Sequence, residues 1–150
     1  MFYSIHVLIG ILLGLHLESI PLIILLAIAL HFIADMVPHW DGHYDKELFH
    51  KHYIIDISKS LFMIHNVDLI MAIILLWIIY SKVSNPLILV GAFFSLLPDL
   101  SKIIYYTKYK HAPLFKKYLI FHSKIQTEIN WKLGTLTQIT FAIILLKLIF

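Results

Sequence analysis

The chain lacks cysteine and arginine and carries little charge of either sign. Among its 150 residues there is no Cys, and all 12 basic residues are lysines. Without cysteine there are neither disulfides nor thiolate metal sites, so a metal ion would need histidine and carboxylate ligands. Without arginine, the net charge of +3 suits anionic lipid headgroups better than nucleic acid, whose specific readers favour arginine forks. We therefore expect membrane lipids as partners and no nucleic acid.

Apolar residues dominate what remains. Hydrophobic residues make up 60% of the chain and charged residues 14%, whereas soluble domains are about 45–50% apolar. A membrane-spanning helix needs about 20 apolar residues, and the pattern predicts an all-α membrane helix bundle with about five transmembrane helices. The apolar runs cover residues 2–17, 20–37, 61–80, 86–98 and 133–150. The run 86–98 is the shortest, so it either spans half the bilayer or continues to Tyr106.

The remaining segments mix lysine with aromatic and aliphatic residues. Residues 44–61 and 103–118 are typical of amphipathic helices that lie in the membrane interface. The first apolar run has no basic leader and no small-residue cleavage motif, and it contains His6 and His16. It therefore differs from a secretory signal peptide, and we expect it to be retained.

Lysine placement predicts the orientation in the membrane. Every lysine except Lys82 and Lys147 falls in the connections after the second and fourth runs. Because cytoplasmic loops are enriched in lysine and arginine, these connections are predicted to be cytoplasmic. With five spans, the N-terminus is then cytoplasmic and the C-terminus lies outside.

The segment 29–41 places ionisable groups in the last turns of an apolar run. A charged carboxylate in the bilayer centre costs about 2.5–3.5 kcal/mol on insertion scales, so Asp35 should face protein, water or a metal ion. His31 and Asp35 are four residues apart and share one helix face. Pro38 should end the helix and direct His39 and Asp41 back over its end. These residues are a candidate site. The alternative is a purely structural role, in which histidine and aspartate form hydrogen bonds between helices.

Other ionisable residues map to the same predicted cytoplasmic face. His65 and Asp68 repeat the pairing of histidine and aspartate on the third run, and His6, Asp99 and His122 lie near the ends of other runs. Helix bundles build metal sites from such inward-facing side chains. By contrast, four histidines lie in hydrophilic stretches and are interpreted as solvated surface residues: His43, His50, His52 and His111.

The chain is predicted to be a single domain with a weak internal repeat. Residues 3–40 and 62–100 each begin with a histidine near the start of a helix and end with proline followed by a polar residue. Residues 122–150 would form a C-terminal helix that starts a third, truncated copy. Any hairpin of membrane helices also gathers proline and polar residues at its ends, so this alternative stays open.

Four short motifs carry a resemblance to a known family. They are His6-Val-Leu-Ile-Gly10, His31-Phe-Ile-Ala-Asp35 with Pro38-His-Trp-Asp41, Gly91 to Leu97-Pro98-Asp99, and Phe121-His-Ser-Lys124. In this pattern the chain resembles small bacterial membrane proteins described as membrane-bound metal-dependent hydrolases. The resemblance implies a site in the bacterial inner membrane and metal positions at His6, His31, Asp35, His65 and Asp99. The Pro-Asp-x-Asp of that family reads Pro98-Asp99-Leu100-Ser101 here.

Together these features predict a metal-dependent hydrolase that acts at the cytoplasmic face on a lipid ester or phosphoester. The expected metal is zinc, with manganese or iron as alternatives. Its ligands would be three or four residues from the following set: His6, His31, Asp35, His39, His65 and Asp99. Asp41 and His122 are the candidates for general base or acid, and lysines including Lys102 would bind a headgroup phosphate. There is no Gly-x-Ser-x-Gly motif for a serine hydrolase.

Three other functions stay open on the sequence. A di-iron oxygenase would also use many histidines, but its His-x-x-His-His boxes are absent. A metal or proton transporter would need a polar path, and only His16 and Glu18 map to the opposite face. A non-catalytic scaffold or lipid-binding protein would use the buried polar residues for packing alone.

Overall fold

The computed structural model describes residues 1–42, 46–53, 59–109 and 111–150. Helices account for most of these residues, and no strand occurs among them. Seven α-helices are formed: α1 (Tyr3–His16), α2 (Ile20–Met36), α3 (Lys46–His52), α4 (Lys59–Val83), α5 (Leu87–Leu100), α6 (Pro113–Ile125) and α7 (Trp131–Ile149). A 3₁₀ helix, Ser101–Tyr106, follows α5 directly. The all-α prediction is confirmed.

Prolines define several helix boundaries. Pro21 lies in the first turn of α2, where its missing N–H is not needed. At the other end Val37 is extended, with ψ at 133°, because the residue before Pro38 is disfavoured in the α region. Pro98 is different, since α5 continues past it to Leu100 and then into the 3₁₀ helix. The expected extension of the fourth run toward Tyr106 is therefore observed.

The centre of the molecule is α1. This helix packs on α2, α4, α5 and α7, and most extensively on α5. Its buried positions form an almost continuous run from Ile5 to Ile11, so α1 is surrounded by other helices over much of its length. A side chain near the start of α1 can therefore reach side chains from both α2 and α5.

Two glycines allow α1 and α5 to approach each other closely. A Cβ added at Gly91 would overlap the backbone carbonyl of Gly10, and one added at Gly10 would overlap the backbone at Gly91. Small residues at such crossings let helix backbones touch, as in many membrane bundles. The Gly10–Gly91 contact thereby holds the neighbouring His6 and Ser95 at one level of the bundle, where Ser95 Oγ donates a hydrogen bond of 2.6 Å to the carbonyl of His6.

Among the residues that the structure describes, two helices, not five, have the length and composition of a full membrane span. These are residues 62–83 within α4 and all of α7, and only 17% of the most apolar window of each is buried. Their apolar side chains therefore face outward, as Trp77 does at 69% exposure. By contrast, α1, α2 and α5 contain 14, 17 and 14 residues. They are shortened by the polar turn 17–19, by Pro38 and by the turn before Leu87.

The two predicted interfacial helices are also corrected. Residues 103–118 do not form one helix, because Pro113 starts α6 and Ala112 before it is extended. In the segment 44–61, α3 ends at His52 and Tyr53 has a positive φ of 56°. Residues 43–45, which include His43, and residues 54–58 lie outside the described part of the chain.

Candidate metal centre

Four buried side chains from three helices meet at one place in the bundle. His31 and Asp35 come from α2, Asp99 from α5 and His122 from α6. None of the four residues is more than 3% exposed. One possible ligand atom of each residue lies within 4.8 Å of the corresponding atoms of the other three. The group could therefore hold a metal ion.

The distances between the possible ligand atoms of this group suit a metal ion with tetrahedral coordination. His122 Nε2 lies 2.9 Å from Asp35 Oδ2 and 3.3 Å from His31 Nε2. Asp35 Oδ2 is 3.5 Å from His31 Nε2. Asp99 Oδ1 is 3.9 Å from His31 Nε2 and 3.7 Å from His122 Nε2. Zinc bonds of about 2.0–2.2 Å give a tetrahedron with edges of about 3.3–3.6 Å, and the observed distances lie on both sides of that range.

The orientation of His31 is set by a backbone carbonyl. Its Nδ1 lies 2.8 Å from the oxygen of Ser95. Because a carbonyl only accepts hydrogen bonds, Nδ1 carries the hydrogen, and Nε2 of the neutral ring has a free lone pair toward the cluster. Metal-binding histidines are commonly oriented by such a contact. The Ser95 side chain is in turn bonded to α1, so α1 positions this ligand indirectly.

Both carboxylates already have a basic group beside them. Lys102 Nζ forms an ion pair with Asp99 Oδ1 at 2.6 Å. The Met1 nitrogen lies 2.8 Å from Asp35 Oδ1, and Gln126 Nε2 donates to Asp35 Oδ2 at 3.3 Å. This compensation is expected for carboxylates this deeply buried. It also means that a metal ion must compete with existing partners.

The two site residues beyond the apolar helices have shifted protonation equilibria. Burial lowers the pKa of His122, although its hydrogen bond to Asp35 acts in the opposite direction. A neutral imidazole is the form that binds metal. At Lys102 burial opposes the charged form, but the carboxylates of Asp99, Asp41 and Asp35 raise the pKa above its ordinary value. The lysine is therefore a cation beside the cluster.

His6 lies next to the four-residue group and contacts the far side of both carboxylates. Its Nε2 is 3.3 Å from Asp35 Oδ1 and 3.8 Å from Asp99 Oδ2. Its ring stacks on His31, with centroids 4.0 Å apart and the planes at 27°. Four of the six predicted metal positions, His6, His31, Asp35 and Asp99, therefore lie close together in the structure.

Two predicted ligands lie elsewhere. His39 is buried, but its Nδ1 contacts the carbonyl of Val37 at 2.7 Å and it is outside the four-residue group. His65 on α4 is partly exposed and lies 4.0 Å from Asp41 Oδ1. Its helix neighbour Asp68 accepts a hydrogen bond of 2.5 Å from Ser4 Oγ instead of joining the cluster. The third and first runs are therefore not equivalent at the site, because His6 contacts both carboxylates and His65 contacts Asp41 instead.

The two residues predicted to act as general acid or base lie in different positions relative to the cluster. His122, proposed as an acid or base, lies among the possible metal ligands. Asp41 lies at the edge, with Oδ2 3.7 Å from the Met1 nitrogen and its side chain 8% exposed. Lys102, proposed to hold a phosphate, is bound to Asp99. These positions leave Asp41 as the acid–base candidate outside the cluster.

Sequence reasoning missed several residues that support the site. Ser95 orients His31, Gln126 contacts Asp35, and Gln138 joins α7 to the chain around the site. Gln138 is 1% exposed, and it accepts from the Phe2 amide and donates to the Trp40 carbonyl. Each of Ser95 and Gln138 is a polar residue inside an apolar run, which is the same signal that singled out His31. Gln126 had no such signal, because it follows the end of α6.

Residues after α6 pair with the end of α2 and bring His122 into place. The Thr127 amide donates to the Asp35 carbonyl at 3.2 Å, and the His39 amide donates to the Thr127 carbonyl at 3.0 Å. The Ile129 amide completes the pairing by donating to the His39 carbonyl at 2.9 Å. This short extended contact fixes the end of α6, one turn after His122, beside α2.

Comparisons with protein-family models, with curated proteins and with solved structures found no match to this chain. The function is therefore inferred from the geometry of the cluster.

Proposed function

We propose that this protein is an integral membrane protein that binds a divalent metal ion through His31, Asp35, Asp99 and His122. The observation that carries the proposal is the meeting of these four buried groups with separations close to tetrahedral edges. Residues 91 positions apart in sequence, His31 and His122, bring their Nε2 atoms within 3.3 Å of each other. Two imidazole nitrogens facing one another across a carboxylate are well placed to share a cation.

Zinc is the ion that this donor set favours. Two imidazoles and two carboxylates with no thiolate suit zinc, and also suit manganese or iron when further oxygen ligands are available. Binding would replace the hydrogen that His122 Nε2 shares with Asp35 Oδ2 at 2.9 Å. In the neutral imidazole this hydrogen would move to Nδ1, so the ring would change tautomer without losing a proton.

The placement in the bacterial inner membrane is part of the proposal. The outward apolar surface of α4 and α7 supports insertion, and α1, α2 and α5 would complete a five-helix bundle within it. The proposed ligands lie near the end of α2, the end of α5 and in α6, at the level of the lysine-rich connections. By the preference of lysine for cytoplasmic loops, that level is the cytoplasmic face.

The reaction we propose is hydrolysis of a lipid ester or phosphoester at this face. A bound divalent ion would lower the pKa of its bound water to about 7 and polarise the ester oxygen. Asp41, beside the cluster and outside its ligands, would accept the proton. The resemblance of the His-x-x-x-Asp and Leu-Pro-Asp motifs to membrane-bound metal-dependent hydrolases supports the same reaction.

Substrate would enter by displacement of α6. This helix brings His122 into the cluster, yet it packs only lightly on α2 and α3 and exposes Leu114 and Phe121 on its outer side. Its tie to α5 is the Tyr118 hydroxyl, which donates to the Pro98 carbonyl at 2.9 Å. Its light packing makes α6 the element whose displacement would disturb the core of α1 and α5 least.

A scaffold without catalysis is the second candidate, and one observation favours it. The Met1 nitrogen and Lys102 already neutralise Asp35 and Asp99, so the cluster is a balanced ion-pair network even when no metal is bound. In that case removal of metal by chelation should leave both the fold and the biological function unchanged.

The test of hydrolysis uses purified protein and vesicles of phosphatidylglycerol and phosphatidylethanolamine. We expect zinc-loaded protein to release fatty acid or a phosphorylated headgroup, chelation to abolish release, and added zinc to restore it. His31→Ala should be inactive. His16→Ala, at the end of α1 away from His6, should be active. Release that is unchanged by chelation, or no release from metal-loaded protein, would contradict the hydrolase proposal.

A further inference from the structure

The two carboxylates of the cluster divide their oxygens between two groups of histidines. Asp35 Oδ2 and Asp99 Oδ1 face His31 and His122. Asp35 Oδ1 and Asp99 Oδ2 face His6 instead. Resting on the function proposed above, we propose that His6, Asp35 Oδ1 and Asp99 Oδ2 form a second metal position, so that the two carboxylates bridge a pair of ions.

His6 itself points to a missing ligand. It is 0% exposed, and within the described part of the chain neither of its ring nitrogens has a hydrogen-bond partner. A buried polar atom left without a partner loses its hydrogen bonds to water and gains none in return, so such a side chain is unusual unless something binds it. Its Nε2 lies 3.3 Å from one carboxylate and 3.8 Å from the other. A cation between these three atoms would satisfy all of them.

The spacing of the two positions matches that of known two-metal sites. His6 and His31 stack with their ring centroids 4.0 Å apart, and each ring directs its Nε2 toward a different oxygen of Asp35. Ions held by two stacked imidazoles would be separated by a similar distance. Paired catalytic metals lie about 3.5–4 Å apart.

The second position already attracts positive charge. The Met1 nitrogen lies 2.8 Å from Asp35 Oδ1 and 3.7 Å from Asp41 Oδ2. A second ion would therefore displace this nitrogen from Asp35, and the adjacent Asp41 would remain close enough to accept it. The exchange keeps the charge of the buried carboxylates balanced.

A pair of ions bridged by the two carboxylates would favour one of the two proposed classes of substrate. Two ions clamp the attacking and leaving oxygens of an in-line displacement, which is the arrangement used by many phosphatases and nucleases. Water would attack phosphorus, the bond from phosphorus to the ester oxygen would break, and the leaving oxygen would take up a proton. The dinuclear centre therefore favours a phosphoester over a carboxylic ester.

Manganese provides the direct test, because coupled and isolated Mn²⁺ ions have different electron paramagnetic resonance spectra. We expect the wild-type protein, dialysed against excess MnCl₂, to retain two ions per chain and to show an exchange-coupled spectrum. His6→Asn should retain one ion with an uncoupled signal. His16→Asn is the matched control, an exposed histidine on the same helix, and it should bind two coupled ions.

The outcomes separate this inference from the proposed function. One uncoupled ion in the wild type would overturn the second position and leave the four-residue site standing. No bound ion in any variant would overturn both. If His6→Asn loses its helical circular dichroism, the wild-type stoichiometry and spectrum decide the question alone.

Discussion

At the scale of single residues, Asp35 is the group on which the site depends most. Its two oxygens contact His122, Gln126 and the Met1 nitrogen, and they lie within 3.5 Å of His6 and His31. Asp35→Asn keeps the shape and removes the charge. We expect it to weaken zinc binding by more than about 100-fold. Mutation of a residue that only hydrogen-bonds to a metal ligand already lowers metal affinity by about 10–100-fold. Competition with a fluorescent zinc chelator measures the change, and unaltered affinity would exclude Asp35 as a ligand.

Ser95 offers a test that separates support of the fold from metal binding. Its hydroxyl bonds the carbonyl of His6, whereas the contact to His31 uses the Ser95 backbone. Ser95→Ala should therefore lower the free energy of unfolding by about 0.5–1.5 kcal/mol and leave the metal content unchanged. Thermal unfolding in detergent, with metal analysis of the same sample, checks both. Loss of the metal would show that the hydroxyl has a direct part in binding.

At the scale of helices, the crossing of α1 and α5 sets the geometry of the site. Gly91→Ala would place a methyl group against the backbone of Gly10, where no flexible side chain can move away. Overpacking of this kind costs about 1–3 kcal/mol, and here it should also separate His6 from Asp99. We expect a lower Tm and a reduced metal content.

Leu89→Ala, on the exposed side of α5, is the control for that prediction. It should leave both measurements nearly unchanged. If Gly91→Ala were as stable as wild type and bound metal normally, the close crossing would not be what positions the ligands.

Features contained within one helix were predictable from the sequence, and features that depend on packing were only partly so. The pairing of His31 with Asp35 follows from helical spacing, and the end of α2 follows from Pro38; both are observed. His65 and Asp68 have similar helical spacing, but His65 lies outside the four-residue group, because tertiary contacts set the rotation of α4 against α1. No local signal could show that residues 126–129 pair with the end of α2.

At the scale of the whole molecule, orientation can be tested with introduced cysteines, since the chain has none of its own. Lys82 and Lys124 are exposed and lie in connections predicted to be on opposite sides of the membrane. In intact cells, Lys82→Cys should react with a membrane-impermeant maleimide and Lys124→Cys should not. Both should react after the membrane is permeabilised. The reverse pattern would place the cluster at the outer face.

Metal analysis by mass spectrometry shows whether His31, Asp35, Asp99 and His122 hold a metal ion. Purified wild-type protein should contain a stoichiometric divalent metal, and His31→Ala should lose it. His65→Ala should keep it, because His65 lies outside the cluster. Metal-free wild-type protein that also fails to bind added zinc, or His31→Ala with its metal intact, would rule out a metal ion at these four residues.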